Sequence, residues 1–222
     1  MILAAPQLAA LNWLEHGFGT SRSADWPPEP DYVNLRQIHS DVVVTVSGDQ
    51  RQGLLGQGDA LVTRQPGIWI GVRTADCAPV VLADPAHQAV GVVHAGWRGT
   101  VNLIVGRTLE RMAAEFGTRP GEVLAAIGPT IGACCYEVGA DVALQFAPWW
   151  TERADLRGGG AHACVDIPAT LQRQMTSAGV DPANIATVGG CTRCGGAGRY
   201  HSFRRDGAAA GRMVSAVCIR QP

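Results

Sequence analysis

Three residues of this 222-residue chain carry side chains that could share one divalent metal ion. His39 stands in Gln-Ile-His-Ser, Cys77 in Thr-Ala-Asp-Cys, and His94 in His-Ala-Gly-Trp-Arg-Gly. Two imidazoles and a thiolate are a ligand set that zinc accepts, and three protein ligands leave the open position a catalytic ion needs. The same set can resemble a type 1 copper site. The gaps, 38 residues from 39 to 77 and 17 from 77 to 94, form no local signature. The alternative is a buried cysteine and two histidines hydrogen-bonded near loops.

The segment His94-Ala-Gly-Trp-Arg-Gly-Thr100 is a second candidate. A strand, a glycine turn, Arg98 and a helix start at Thr100 are a physical recipe for holding an anion: free N–H groups and the positive helix end face the turn, and the guanidinium adds a forked donor. The alternative is a plain connection in which Trp97 packs and Thr100 caps. Cys191-Thr-Arg-Cys194 is a CxxC pair, but no second CxxC accompanies it and nothing before it looks thioredoxin-like. His201, Arg204 and Arg205 in the tail are anion or substrate contacts, or parts of a solvated turn.

The elements that must position these groups are legible in outline. Runs rich in Val, Ile and Leu at Val42–Val46, Ala60–Thr63, Ile68–Arg73, Val80–Ala83 and Ala89–His94 read as strands. Gly48–Asp49, Gly56–Gly58, Pro66–Gly67 and Asp84–Pro85 read as turns. The period then changes: Val101, Ile104, Val105, Thr108, Leu109, Met112 and Phe116 predict an amphipathic helix over about 101–116, stopped by Gly117. Glu122–Ile127 returns to a strand. Val138, Val142 and Phe146 mark a weaker helix ended by Pro148, and Trp149–Gly160 reads as a loop. Ile167, Leu171 and Met175 mark a helix capped by Asp166 and stopped by Gly179. Ile185–Val188 and Val214–Ile219 are late strands. This order predicts one α/β or α+β domain.

Composition excludes several functions. Charged residues are 17%, hydrophobic residues 46%, and the net charge is −1. No basic run is present to hold nucleic acid, and no apolar run approaches a membrane span. All 18 basic residues are arginine, so Schiff bases, a P-loop lysine and a Ser-Lys pair are excluded. A bound anion must then be held by guanidinium groups, backbone N–H groups or a metal. Seven cysteines, two of them adjacent, with no signal peptide at the N-terminus, fit a cytoplasmic protein with free thiols. GxSxG, HExxH, the deaminase H-x-E with P-C-x-x-C, and GxGxxG opening a helix are all missing.

Taken together, Leu35–His39, Gly58–Thr63, Thr74–Asp84, Val93–Thr100, Ala126–Pro129, Cys135–Gly139, Cys191-Thr192, Ser202–Arg205 and Gly211-Arg212 resemble the bacterial YfiH/YlmD proteins. These are the laccase-domain or polyphenol-oxidase family, related to human FAMIN. The resemblance spans roughly 30–220. It implies a single compact domain over 1–222, with mixed sheets flanked by helices and a fold shared with a bacterial toxin's cysteine-dependent domain. It implies one zinc on His39, Cys77 and His94, with copper as the alternative ion. It implies phosphorolysis of adenosine, inosine or methylthioadenosine to free base and sugar 1-phosphate, adenosine deamination as a second activity, and copper-dependent phenol oxidation as the older family label.

In that scheme Cys77, His94, Asp76 and Arg98 are catalytic. Arg98, the helix start at Thr100 and Arg205 hold phosphate, with His201 and Arg204 as further substrate contacts. Asp76 or His201 manages protons, and Asp59 is an alternative carboxylate. The partners are a nucleoside and phosphate, without nucleic acid or membrane, in a monomer or homodimer. Two departures from the family stand out. The segment 1–30 is short, with His16–Arg22 resembling only the start of a longer stretch, and Thr130 replaces a common cysteine. A metal-stabilised binding scaffold and a Cys77–His94 cysteine hydrolase are the competing classes.

Overall fold

The computed structural model describes residues 1–28, 32–50, 52–149, 162–196 and 198–221. Its strands in chain order are β1 (Leu14–Phe18), β2 (Asn34–Arg36), β3 (Val43–Thr45), β4 (Leu54–Gln57), β5 (Ala60–Thr63), β6 (Trp69–Thr74), β7 (Ala78–Asp84), β8 (Ala89–Ala95), β9 (Leu124–Ile127), β10 (Glu137–Gly139), β11 (His162–Cys164), β12 (Ile185–Thr187) and β13 (Met213–Ile219). The helices are α1 (Pro6–Ala9), α2 (Trp97–Val101), α3 (Ile104–Phe116), α4 (Ala140–Gln145), α5 (Ile167–Ser177) and α6 (Phe203–Asp206).

A six-stranded sheet in the order β12-β9-β7-β8-β5-β3 forms the centre. β3 pairs with β5 and β12 with β9 in parallel, whereas β7, β8, β5 and β9 pair antiparallel, so the sheet is mixed. Every residue of β7 and β8 is buried. The cause is packing on both faces. Val80, Leu82 and Val93 meet Ile104, Leu109 and Met112 of α3 and Leu171 and Met175 of α5. Val81, Ala83, Val90 and Val92 meet Phe18, Ile70, Val72 and Val217 of the smaller sheet β1-β13-β6. A strand covered on both sides needs no polar alternation, which is why these runs read as continuously apolar. The fold is therefore mixed α/β, with helices on one side of the central sheet and a second sheet on the other.

The predicted helix over 101–116 is two helices. Leu103 adopts φ 62°, which breaks the chain between α2 and α3. The break lets the α2 carbonyl of Thr100 receive the Gln174 side-chain amide of α5 at 2.8 Å. α3 buries its predicted stripe, and Gly117 caps it at φ 78°. Asp166 caps α5 as expected, accepting from the Ala169 N–H at 2.9 Å. The 138–146 helix contracts to α4, because Glu137–Gly139 pairs with β11. Gly56, expected in a turn, lies within β4, paired with β2. Of the loop predicted over Trp149–Gly160, only Trp149 lies within the described residues, in a 3₁₀ turn. β1 was not anticipated.

β1 also carries a pH-sensitive tie. His16 is buried, and its Nε2 accepts the Ala5 N–H at 2.9 Å, holding the N-terminal arm to the strand. A protonated ring cannot accept that bond. Burial lowers the His16 pKa to about 4. The unfolded chain therefore takes up a proton near pH 6.5 that the fold refuses until about pH 4. Stability is full above pH 6.5 and declines as the pH falls towards 4, by about 2 kcal/mol after allowing for solvent screening. Urea midpoints at pH 7 and 4.5 should separate more for the native protein than for His16→Gln, whose amide oxygen can accept the same bond. Equal separations would contradict this origin.

Candidate functional site

Antiparallel pairing of β7 and β8 sets Ala78 opposite Ala95 and Pro79 opposite His94. Cys77, one residue ahead of β7, thus arrives beside His94 at the same end of the hairpin. The third residue comes from the 37–41 loop ahead of β3. One ligand atom from each of His39, Cys77 and His94 lies within 4.8 Å of the others. His39 Nε2 is 4.0 Å from Cys77 Sγ, and the two imidazole rings meet edge to face at 5.0 Å. The three predicted metal residues therefore converge.

Asp59, just ahead of β5, organises them. It is fully buried. One oxygen accepts His94 Nδ1 at 2.8 Å and the His39 N–H at 3.0 Å; the other accepts the Ser40 N–H and hydroxyl, each at 2.6 Å. Holding Nδ1 of His94 in this way leaves Nε2 for a ligand role. The same bonds hold His39 at φ 59°, a left-handed conformation that costs a side-chain-bearing residue about 1–3 kcal/mol. Asp59 is therefore a positioning carboxylate behind the histidines, and its burial removes it from the expected substrate contacts.

Charge follows the same network. Burial opposes ionisation of Asp59, but its hydrogen bonds from His94 and Ser40 prevail and hold it down to about 2. Burial likewise disfavours the Cys77 thiolate, yet the His39 and His94 rings bring its pKa down to about 6. His94, against its own desolvation, is pushed up to about 9 by Asp59 and Cys77. Two nitrogen donors and an easily ionised sulfur, with one imidazole braced by a carboxylate, fit a zinc ion. Gly96 gives them room: a Cβ there would lie 2.9 Å from His39 Cδ2 and 3.1 Å from Cys77 Sγ.

This group opens into a cleft of about 960 Å³. Arg73, Arg204 and Arg212 line it, with Tyr136, Phe203 and Ile131 supplying apolar surface. Another large cleft, beside α5, has no histidine, cysteine or carboxylate in its described lining. Arg204 lies 5.3 Å over the Tyr136 ring and donates to the Glu137 carbonyl at 2.9 Å. Gln37 exchanges two 2.8 Å hydrogen bonds with the Arg73 backbone, tying the His39 segment to β6. Burial foremost, and then the Cys77 charge, raise the Tyr136 phenol to about 12, so it remains a donor at neutral pH.

Other predicted contacts are placed elsewhere. Arg98 is exposed and lies 4.6 Å over the Trp97 ring, outside the lining of the metal-side cleft. Thr100 is fully buried, its hydroxyl donating to the Gly96 carbonyl at 2.9 Å, so it offers no anion contact. The helix start is at Trp97. Arg205 turns its guanidinium onto the carbonyls of Tyr200, Thr192 and Arg193 and onto Asp206, and is a loop fastener. The His201 ring packs on Gly211, beside the cleft lining. Asp76, at φ 91°, does reach the cleft, but its two oxygens accept the Thr192 hydroxyl at 2.5 Å and the Arg204 N–H at 2.6 Å. It thereby positions Arg204. Thr130 fastens the same loop, donating to the Asp76 carbonyl at 2.7 Å.

Sequence reasoning missed Arg73, Arg212, Tyr136 and Gln37 as candidate contacts. Arg73 had a signal: it is the only charged residue of β6 and the one exposed position there.

Two histidines and a cysteine braced by a buried carboxylate, at the mouth of an arginine-lined cleft in a mixed α/β fold, define a protein able to hold a metal ion beside an anion. Residues 20–220 match the family model described as multi-copper polyphenol oxidoreductase laccase, and the chain belongs to this family. It is 35% identical over 193 residues to a purine nucleoside phosphorylase of Clostridium acetobutylicum, covering 87% of this chain and 79% of that protein. It is 37% identical over 199 residues to an adenosine deaminase of an unknown prokaryotic organism, covering 84% and 74% respectively. The crystal structure of YlmD from Geobacillus stearothermophilus superposes with a TM-score of 0.87 at 25% identity, over 98% of this chain and 94% of that one. Among the described residues, no helix is long and apolar enough to cross a membrane.

Proposed function

We propose that this chain is a zinc-dependent purine nucleoside phosphorylase. It uses inorganic phosphate to convert adenosine, inosine or methylthioadenosine to free base and sugar 1-phosphate, with adenosine deamination as a second activity at the same site. The observation that carries the reading is the opening of the His39–Cys77–His94 group into a cleft rich in arginine and aromatic surface. The names borne by its relatives support the substrate class.

Phosphorolysis requires phosphate held against the anomeric carbon and an environment that stabilises developing charge. Arg73, Arg204 and Arg212 supply guanidinium donors for the phosphate, Arg204 and Arg212 each with one terminal nitrogen already on backbone carbonyls, and take the part first expected of Arg98, Thr100 and Arg205. Tyr136 and Phe203 give the purine and ribose apolar surface. Asp76 holds the Arg204 backbone, fixing where one of the phosphate donors stands. His39, Cys77 and His94 would hold a zinc ion, which when bound would supply Lewis acidity. The cleft is near the upper end of the range of about 300–1,000 Å³ for small-molecule sites, enough for nucleoside and phosphate together.

The test is adenosine with and without phosphate under anaerobic conditions, read by chromatography. Adenine that appears only with phosphate is the expected product. Inosine alone would leave only a deaminase. Turnover of a phenol that depends on oxygen and copper, with no nucleoside turnover, would replace the proposal by the oxidase reading.

A further inference from the structure

We propose that Cys134, Cys135, Cys191 and Cys194 form a second metal site, which takes one zinc ion as a tetrahedral tetrathiolate and clamps the outer wall of the cleft. Along the chain the CxxC pair has no CxxC companion. The fold supplies one by bringing the adjacent Cys134 and Cys135 to it across the chain.

The four sulfurs all lie within 4.8 Å of one another, with Cys134 and Cys194 at 3.5 Å. Zinc–sulfur bonds of about 2.3 Å directed to a tetrahedron's corners set sulfurs about 3.8 Å apart. The observed cluster therefore needs little movement to close on one ion. A cluster of two or more irons would spread its outer sulfurs further. One disulfide would satisfy two of the four and leave the convergence of the others without a cause. Four thiolates are also the soft ligand set that favours zinc over harder cations.

The backbone is already shaped for thiolates. The N–H of Gly132 donates to the Cys191 sulfur at 3.4 Å. The Gly195 N–H closes the turn on the Cys191 carbonyl at 2.7 Å, and a Cβ at Gly195 would run into that carbonyl. Thr130 and Cys191 form a parallel bridge, fixing the two loops in register. Binding would exchange four S–H bonds for four zinc–sulfur bonds and release four protons, with no electron transferred. The resulting complex carries two negative charges, and the Arg205 guanidinium stands beside it on the Thr192 and Arg193 carbonyls.

The location gives the ion a purpose. One loop carries Ile131 and Tyr136 of the cleft wall. The other carries Thr192, whose hydroxyl donates to Asp76, the neighbour of Cys77. A clip closing the long chain between 135 and 191 restricts the unfolded state as well as fixing the wall. This inference rests on the loop geometry and stands independently of the reaction proposed above.

Elemental analysis of protein purified under reducing conditions is expected to find about one zinc ion more per chain than in Cys134→Ser/Cys194→Ser, whatever the His39–Cys77–His94 group holds, with thermal stability lowered in the variant. Cobalt reconstitution should give a thiolate charge-transfer band that loses most of its intensity in the double variant. Alkylation of the unaltered protein keeps the test independent of whether the variant folds: these four cysteines should react slowly with zinc present and rapidly once it is chelated. Equal zinc content in the two proteins, alkylation indifferent to chelation, or a Cys134–Cys194 disulfide surviving in the reduced protein would overturn the site.

Discussion

Cys77→Ala is expected to strip the His39–Cys77–His94 group of its ion and reduce phosphorolysis on the order of a thousandfold, since an ion stabilising charge in the transition state contributes several kcal/mol, about 4, to the rate. The fold should persist, because Cys77 is only half-buried at the rim of the cleft and the hairpin behind it is packed on both faces. Ground-state binding of phosphate should change far less, because the arginines that line the cleft come from other elements. The check is zinc content, kcat/KM and circular dichroism on one preparation. Full zinc and full activity in the folded variant would end the assignment of this group as the catalytic centre.

Asp59→Asn is expected to have the second-largest effect, acting from a position no substrate reaches. The carboxylate accepts from His94, from the His39 N–H and from both donors of Ser40 while fully buried. An amide in its place removes the charge opposite His94 and points N–H groups towards donors. Breaking a buried ionic pair costs about 3–5 kcal/mol, and loss of the carboxylate behind a ligating histidine weakens metal binding about 10–100-fold. The variant should therefore unfold at markedly lower urea and release zinc to a weaker chelator. An unfolding midpoint and zinc affinity matching the native protein would show that Asp59 neither braces the site nor supports the fold.

Elements whose character is set locally were legible from the chain. β7 and β8 announced themselves because burial on both faces leaves no polar position. α3 and α5 did so through period, cap and stop, with Asp166 and Gly117 in the predicted places. The break at Leu103 was hidden because the apolar period runs through it unbroken, while the Thr100 carbonyl that it frees meets Gln174 of another helix. β1 was hidden because it exists by pairing with β13 from the far end of the chain. At the site, residue type and family resemblance together identified the three ligand candidates. They could not say which arginines face the cleft. Arg204 and Arg205 are neighbours in sequence, yet one lines the cleft and the other is spent on carbonyls. The turn into α6, capped by Ser202, and the Asp76 carboxylate on the Arg204 N–H decide between them.

The β7–β8 hairpin has a kinetic corollary. Its short turn lets the two strands meet early in folding, and that meeting alone delivers Cys77 and His94 to one another. His39 lies ahead of β3, which pairs with β5 at one edge of the central sheet. Closing the hairpin therefore sets two of the three donors at once, and a substitution that loosens β3 against β5 should displace His39 while leaving Cys77 and His94 side by side.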